Sequence, residues 1–267
     1  MERWLDIFRE IGREASKVAL NIYGKDEAKK KLGRGAAGDI TRGIDKAVED
    51  VILKKLKDVG DVKLISEESG IIEIGKPEGI IITDPLDGSG NAKDGIPLFS
   101  ISLAFAGSEA KIGKIDMGYV RNLVTGDEYH AIKGKGSFLN GKRITRSKTK
   151  VLSAVGFELH PHTTYSLKKA MTIMNGIKRI RCFGSVALDI CFVAQGALQG
   201  YVDFRDLCRL LDISAASLIL KEAGGIITDE RGTSIDGKTI DLKSHSNLII
   251  AGNSDLHAQL LRISDRS

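Results

Sequence analysis

The chain has 267 residues, 42% of them hydrophobic and 28% charged, with 40 Lys+Arg against 35 Asp+Glu for a formal charge of +5. That is enough for one large α/β unit or two close-packed halves around a sizeable core, and too apolar throughout for intrinsic disorder. No apolar run approaches the ~20 residues that span a bilayer, and the start Met1-Glu2-Arg3-Trp4-Leu5-Asp6 is no signal peptide, so no membrane partner and a cytoplasmic location are expected.

Trp4, Phe8, Ile11, Ala15, Val18 and Ile22 keep helical spacing and predict an amphipathic helix over 3–23. A second helix is predicted over 44–56, with Ile44, Ala47, Val48, Val51 and Ile52 on one face. Between them, Lys29 to Gly38 is basic and Gly-rich. By composition it is a flexible connector, or else a mobile loop that closes over an anionic ligand. Strands follow over 62–66, 71–74, 79–83, 99–106 and 113–120, then a hairpin region ending in Asn140-Gly141, which suits a type I′ turn. From about residue 153, strands over 153–157, 179–183, 200–203, 225–228 and 248–252 alternate with helices over 165–175, 186–195, 212–223 and 255–263. The first part therefore reads as α+β with a mostly antiparallel sheet and the second as α/β. A boundary near Lys150 divides 1–150 from 151–267, and with no linker there the two halves are expected to pack tightly.

Cys182, Cys191 and Cys208 form no CxxC pair and read as reduced, mostly buried side chains. His160 and His162 flank Pro161 in an expected surface loop. Gly134-Lys135-Gly136 lacks the strand and helix context of a dinucleotide site. The mild basic excess suits anionic partners of any kind.

Chemistry concentrates in Ile80-Ile81-Ile82-Thr83-Asp84-Pro85-Leu86-Asp87-Gly88-Ser89-Gly90-Asn91. An apolar strand runs into Asp84, Pro85 turns the chain, and Asp87 follows beside a Gly-rich turn. Two carboxylates next to free backbone N–H groups can hold a hard cation and a phosphate together. Alone, an Asp-x-x-Asp is most often an acidic turn capping a strand. Here it keeps company with Ser66-Glu67-Glu68-Ser69 at another strand end, and with Asp212 opening an apolar helix that ends Glu222-Ala223-Gly224-Gly225.

In this order, those pieces resemble the inositol monophosphatase and fructose-1,6-bisphosphatase superfamily of metal-dependent, lithium-sensitive phosphatases, and the resemblance covers nearly the whole chain. It implies a layered α/β/α/β/α sandwich of the sugar-phosphatase type. Glu67, Asp84, Asp87, Asp212 and the Leu86 carbonyl then correspond to ligands of two or three Mg²⁺ ions, with Mn²⁺ as an alternative, and Glu68 to an auxiliary metal position. Asp45 matches the acid paired with the Ser89 hydroxyl, and the N–H groups around Gly88 and Ser89 the phosphate cradle. Gly33 to Gly38 matches the family's mobile loop, and Gly184-Ser185 a contact to substrate hydroxyls. The reaction implied is in-line attack by a metal-activated water oriented through Glu67 and the Ser89–Asp45 pair, with either as the base. A phosphatase with an aspartyl nucleophile would need Asp-x-Asp, which this spacing does not supply.

The sequence departs from the family where Leu211 stands in place of the usual Trp before Asp212, and Ser89 replaces the commoner Thr. Arg205, in Asp203-Phe204-Arg205-Asp206, stands where inositol enzymes carry an acid. A guanidinium suits a second phosphate, although it could equally pair with Asp203 or Asp206. Arg181, Lys178 and Tyr201 are further candidates to line the substrate pocket. The resemblance thus implies fructose-1,6-bisphosphate as substrate with inositol-1-phosphate beside it, as in archaeal-type dual-activity members, and a homodimer. Three alternatives stand beside this reading. One is an inositol monophosphatase without a bisphosphatase role. Another is a 3′-phosphoadenosine or NADP phosphatase, which 5% aromatics disfavour. The third is a silent metal- or nucleic-acid-binding relative, whose only support is the basic stretch Lys29–Arg34; no nucleic-acid partner is expected.

Overall fold

Helix α1 (Glu2–Ile22) buries Leu5, Phe8, Ile11, Ala15 and Ala19 in the computed structural model, which describes residues 1–145, 148–159 and 164–265. After the single turn α2 (Asp26–Lys29), the chain forms strands β1 (Lys31–Arg34) and β2 (Ile40–Arg42). Helix α3 (Gly43–Val59) then packs its Ile44, Val48, Ile52 and Leu56 beside α1. The expected flexible loop is thus an antiparallel hairpin. Its tip closes on itself, Gly35 N–H donating to Asp39 O and Gly38 N–H to Gly35 O. The N–H groups of Ala36 and Ala37 donate to the carbonyls of Glu68 and Glu67 at 2.9 and 3.0 Å.

The first sheet comprises β3 (Val62–Ser66), β4 (Gly70–Ile74), β5 (Ile80–Asp87), β6 (Ser100–Ala106), β7 (Met117–Asn122), β8 (Glu128–Ile132), β9 (Gly136–Leu139) and β10 (Lys142–Arg143), with the short helix α4 (Ser89–Asp94) after β5. Its order is β10-β9-β8-β7-β6-β5-β3-β4. Every pairing is antiparallel except β3 with β5. The strand expected over 113–120 begins only at Met117. The Ile112 and Gly113 N–H groups donate to Lys238 and Asp236 carbonyls, which draws Ile112–Lys114 out of the sheet as a 3₁₀ turn.

The second sheet takes β11 (Ala154–Glu158), β12 (Arg179–Arg181), β13 (Gly200–Asp203), β14 (Ile226–Thr228) and β15 (Leu248–Ala251) in the order β12-β11-β13-β15-β14. Its helices are α5 (Thr164–Met174), α6 (Val186–Ala194), α7 (Ser214–Glu222) and α8 (Ser254–Ser264). Strand β11 runs parallel to β12 and β13, while β15 is antiparallel to both its neighbours, so this sheet is mixed. His160 and His162 lie outside the described residues.

Helices α6 and α7 pack on each other and on strands of both sheets, α1 and α3 cover the outer face of the first, and α8, with α5 beside it, covers that of the second. The result is the five-layer α/β/α/β/α sandwich. Helix α6 is apolar almost all round because it is buried on both sides. Helix α7 approaches β7 so closely that a Cβ at Gly118 would sit 2.4 Å from the Ala215 carbonyl oxygen. One core cluster joins Ile82, Ala104 and Val120 of the first sheet to Leu188, Ile219 and Ile250. No described helix is long and apolar enough to cross a membrane.

Candidate active site

Strands β3 and β5 run side by side in parallel, so the turn after β3 and the end of β5 bring Glu67 and Asp84 to the same edge. Pro85 has no N–H to give the ladder, and the β5–β6 register shifts between Asp84 and Asp87. The Leu86 N–H donates to Asp84 Oδ1 at 2.9 Å instead. Asp212 arrives from the turn just before α7, not in its first turn, and Ser102 Oγ donates to its carbonyl at 3.4 Å. Glu67, Asp84 and Asp212 each offer an oxygen, and these oxygens lie within 4.8 Å of one another.

Crowding and burial together make this cluster unfavourable as free carboxylates. Burial raises the Asp84 carboxyl well above its usual range, and Glu67, Asp212 and Asp87 push the same way. Burial likewise raises Asp212 to about 7, opposed by Arg209, and lifts Glu67. Such an all-oxygen set, with repulsion that only positive charge relieves, fits a hard divalent cation.

Asp87 borders the same site but also reaches across to α6. Its carboxylate accepts from the Val186 and Ala187 N–H groups at 3.0 and 2.9 Å, from Ser100 Oγ at 3.2 Å and from Ser185 Oγ, capping α6 across the interface between the sheets. Burial raises it to about 6, and these donors pull it back down. The Ser185 hydroxyl, expected to meet substrate, is fully buried and spent on this cap, whereas Gly184 lines the cavity. Gly88 adopts φ 92°, and a Cβ there would lie 3.1 Å from the Gly184 carbonyl and 3.2 Å from that of Leu98, so only glycine fits this turn. Ser89 Oγ donates to the Leu86 carbonyl at 3.0 Å. Asp45 Oδ2 accepts from the Arg42 N–H at 2.7 Å, and its buried Oδ1 accepts no hydrogen bond. Burial raises this carboxyl, while the neighbouring Ser89 hydroxyl and Arg42 N–H oppose the shift. Glu68 turns to Thr41 Oγ1 and is raised by burial to about 7.

Two cavities meet at these residues. One of about 390 Å³ is lined by Glu67, Glu68, Asp84, Gly88 and Ser89. A wider one of about 550 Å³ is lined by Glu158, Gly184, Arg205, Leu207, Lys243 and His245. Asp39, Asp87, Arg209 and Asp212 border both. Arg205 reaches the wider cavity with its fork already on Asp203, Nη2 at 2.6 Å and Nε at 3.0 Å, and with Nη1 3.8 Å from Glu158. Burial works against its charge, but Asp203 raises its pKa further. The other expected lining residues are placed elsewhere. Tyr201 is wholly buried, with its hydroxyl unpartnered, because its side chain points into the core between the sheets. Arg181 is exposed and donates to the Ile180 carbonyl, and neither it nor Lys178 lines either cavity.

A model of the inositol monophosphatase family matches residues 1–267. The chain belongs to the inositol monophosphatase family. It is 36% identical to the fructose-1,6-bisphosphatase/inositol-1-monophosphatase of Methanothermobacter thermautotrophicus, over 97% of this chain and 95% of that one. It is also 34% identical to a bifunctional NADP phosphatase/NAD kinase of Methanococcus maripaludis, over 97% of this chain but 49% of that longer protein. A crystal structure of an inositol monophosphatase-fructose 1,6 bisphosphatase superposes with a TM-score of 0.85 at 32% identity, covering 97% of this chain and 99% of that one.

Within this inositol monophosphatase family member, several polar residues at the site carried no local signal in the sequence. Arg209 joins Asp39, Glu67 and Asp212. Glu49, on the inner side of α3, accepts from Ser66 Oγ at 2.6 Å and the Ser69 N–H at 3.0 Å, and so fixes the turn that carries Glu67. Asp189 on α6 is buried with neither carboxylate oxygen hydrogen-bonded. Burial, reinforced by Asp87 and Glu158, raises it from 3.8 to about 9. A carboxyl raised on folding contributes stability that is full below its unfolded pKa and lost as pH climbs to the folded value. Thermal melts should therefore show the wild type losing stability relative to Asp189→Asn from about pH 4 to about pH 9, then levelling off. Parallel pH curves for the two proteins would contradict this assignment.

Proposed function

We propose that the protein is a divalent-metal-dependent phosphomonoesterase that removes phosphate from fructose-1,6-bisphosphate and also from inositol-1-phosphate. The observation that carries this reading is the convergence of Glu67, Asp84 and Asp212 where two cavities meet. Those three, with the Leu86 carbonyl, Asp87 and, at an outer position, Glu68, would hold two or three Mg²⁺ ions, with Mn²⁺ as a substitute. When bound, such ions make a water a better nucleophile and neutralise charge on the transferring phosphoryl group.

The chain's own groups do the rest. The N–H groups of Gly88 and Ser89 border the smaller cavity as donors for a phosphate. Glu67, which lines the same cavity, is placed to take a proton there. The Ser89 hydroxyl, next to the partly unsatisfied Asp45 carboxylate, can pass its own proton towards Oδ1 while accepting one from the attacking water. Arg205 and Lys243 bring positive charge to the lining of the wider cavity, which suits the far phosphate of a sugar bisphosphate. We further propose that it acts in the cytoplasm, as a homodimer, on small phosphorylated polyols.

The test is phosphate release from fructose-1,6-bisphosphate, inositol-1-phosphate and NADP, with Mg²⁺ and with EDTA. NADP belongs in the panel because a relative matching 97% of this chain is named for an NADP phosphatase. Release from both sugar-like substrates should need the metal, and activity undiminished in EDTA would defeat the proposal. Arg205→Gln is expected to lower turnover of fructose-1,6-bisphosphate roughly tenfold while changing inositol-1-phosphate turnover by less than about twofold. Equal losses on the two would remove Arg205 from substrate selection.

A further inference from the structure

Arg209 stands in the middle of the carboxylate cluster. Its Nη2 donates to Glu67 Oε1 at 2.6 Å, its Nε reaches Asp212 Oδ2 and Oδ1 at 3.1 and 3.2 Å, and its Nη1 donates to Asp39 Oδ2 at 2.7 Å. Three separate segments, the hairpin tip, the turn after β3 and the turn before α7, thus share one guanidinium. Two of these partners belong to the trio whose oxygens converge on a common point. With its side chain only 18% exposed, the pairing is not a surface salt bridge of negligible strength.

We infer that Arg209 is the resident counter-cation of the metal site, holding Glu67 and Asp212 in the metal-free protein and competing with incoming metal for their oxygens. The inference rests on the proposed metal site. The backbone of Arg209 is tied down, bridging to His245 while the Leu210 N–H donates to Ser244 O. Metal entry therefore displaces the side chain and not the loop. Arg209 borders both cavities, so the displaced guanidinium has the wider one to enter, where an anionic substrate would meet it. A guanidinium that neutralises the empty site stabilises the metal-free state, and by linkage it weakens apparent metal affinity. It also offsets the repulsion between Glu67 and Asp212 until metal arrives.

Two roles for Arg209 make opposite predictions. If it only braced the ligands, its loss would loosen the site and weaken metal binding. If it competes, its loss tightens metal binding. Calorimetric titration of the EDTA-stripped full chain with MgCl₂ alone, on wild type, Arg209→Gln, Arg209→Lys and Asp84→Asn, separates them. We expect Arg209→Gln to bind Mg²⁺ roughly tenfold more tightly than wild type, with Arg209→Lys between. Equal or weaker binding by Arg209→Gln overturns the inference. The metal-free Arg209→Gln protein should also melt lower than wild type and gain more from saturating Mg²⁺. Should that variant fail to fold without metal, the wild type still decides by nuclear magnetic resonance. Mg²⁺ should expose the hydrogen-bonded Arg209 Nε–H to rapid solvent exchange, and an unchanged exchange rate would sink the inference. A wild type whose Mg²⁺ binding is absent, or is untouched by Asp84→Asn, defeats the metal site itself. That result is distinct from a functioning site indifferent to Arg209.

Discussion

Asp84→Asn is expected to cut phosphate release at saturating Mg²⁺ by roughly three orders of magnitude, while leaving the metal-free protein as stable as wild type or more so. Those two effects come from one cause. Asp84 is 3% exposed, and its carboxyl is pushed far up by burial and by the Glu67, Asp212 and Asp87 charges around it. Without metal, a negative charge there is a liability, and the neutral amide removes it. Its hydrogen bond from the Leu86 N–H at 2.9 Å runs to Oδ1, which asparagine retains. With metal, the same charge is the proposed ligand, and an amide oxygen is a much poorer partner for a hard divalent cation. Phosphate-release kinetics and thermal melts in EDTA check both halves. Activity within tenfold of wild type, or a markedly lower metal-free Tm, would show that Asp84 is a structural acid.

Asp87→Ala should act on stability first, lowering Tm by on the order of 10 °C. Alanine leaves the Val186 and Ala187 N–H groups without their acceptor at the start of α6, and the Ser185 and Ser100 hydroxyls with only each other at 3.2 Å. Ser185 and Ser100 are fully buried, and helix α6 lies between the two sheets, so water cannot readily replace the carboxylate. Asp87→Asn keeps the shape and one acceptor oxygen, and is expected to lose about half as much. A shift under about 2 °C for alanine would mean that the cap contributes little to holding the sheets in register. Differential scanning calorimetry with and without Mg²⁺ separates this structural share from any loss of metal binding.

How much of this could be read from residues alone follows the range of the interactions. The apolar run into Asp84 is local, and β5 begins within a residue of where the spacing predicts, but it runs past the expected turn at Pro85 to Asp87 with a register shift on the way. Helix and strand periodicities yield an α+β part followed by an α/β part, whereas the layered sandwich is what the family resemblance implies. What failed depended on partners remote in sequence. Asp39 and Arg209 meet across 170 residues, and no local pattern marks either. Tyr201 alternates correctly along β13, but alternation does not say which face opens to a cavity, and its ring went to the core. The strand expected from 113 starts late because carbonyls of Lys238 and Asp236 claim the Ile112 and Gly113 N–H groups. Lys31 to Arg42 reads as a linker because its stability lies in backbone bonds, which leave no trace in composition.

That hairpin carries a consequence for which sequence changes the protein can accept. Its tip is largely exposed, glycine-rich and charged, the composition at which insertions and deletions are ordinarily harmless. Here, however, Ala36 and Ala37 are spaced to match the consecutive carbonyls of Glu68 and Glu67, and Asp39 to reach Arg209. A single residue added between Gly35 and Asp39 would slip that match by one place and drag on the turn that presents Glu67. The tip is also closed to side chains at Gly35, where a Cβ would sit 2.6 Å from Glu68 Oε2, and its length is held fixed by residues that lie far away in the chain.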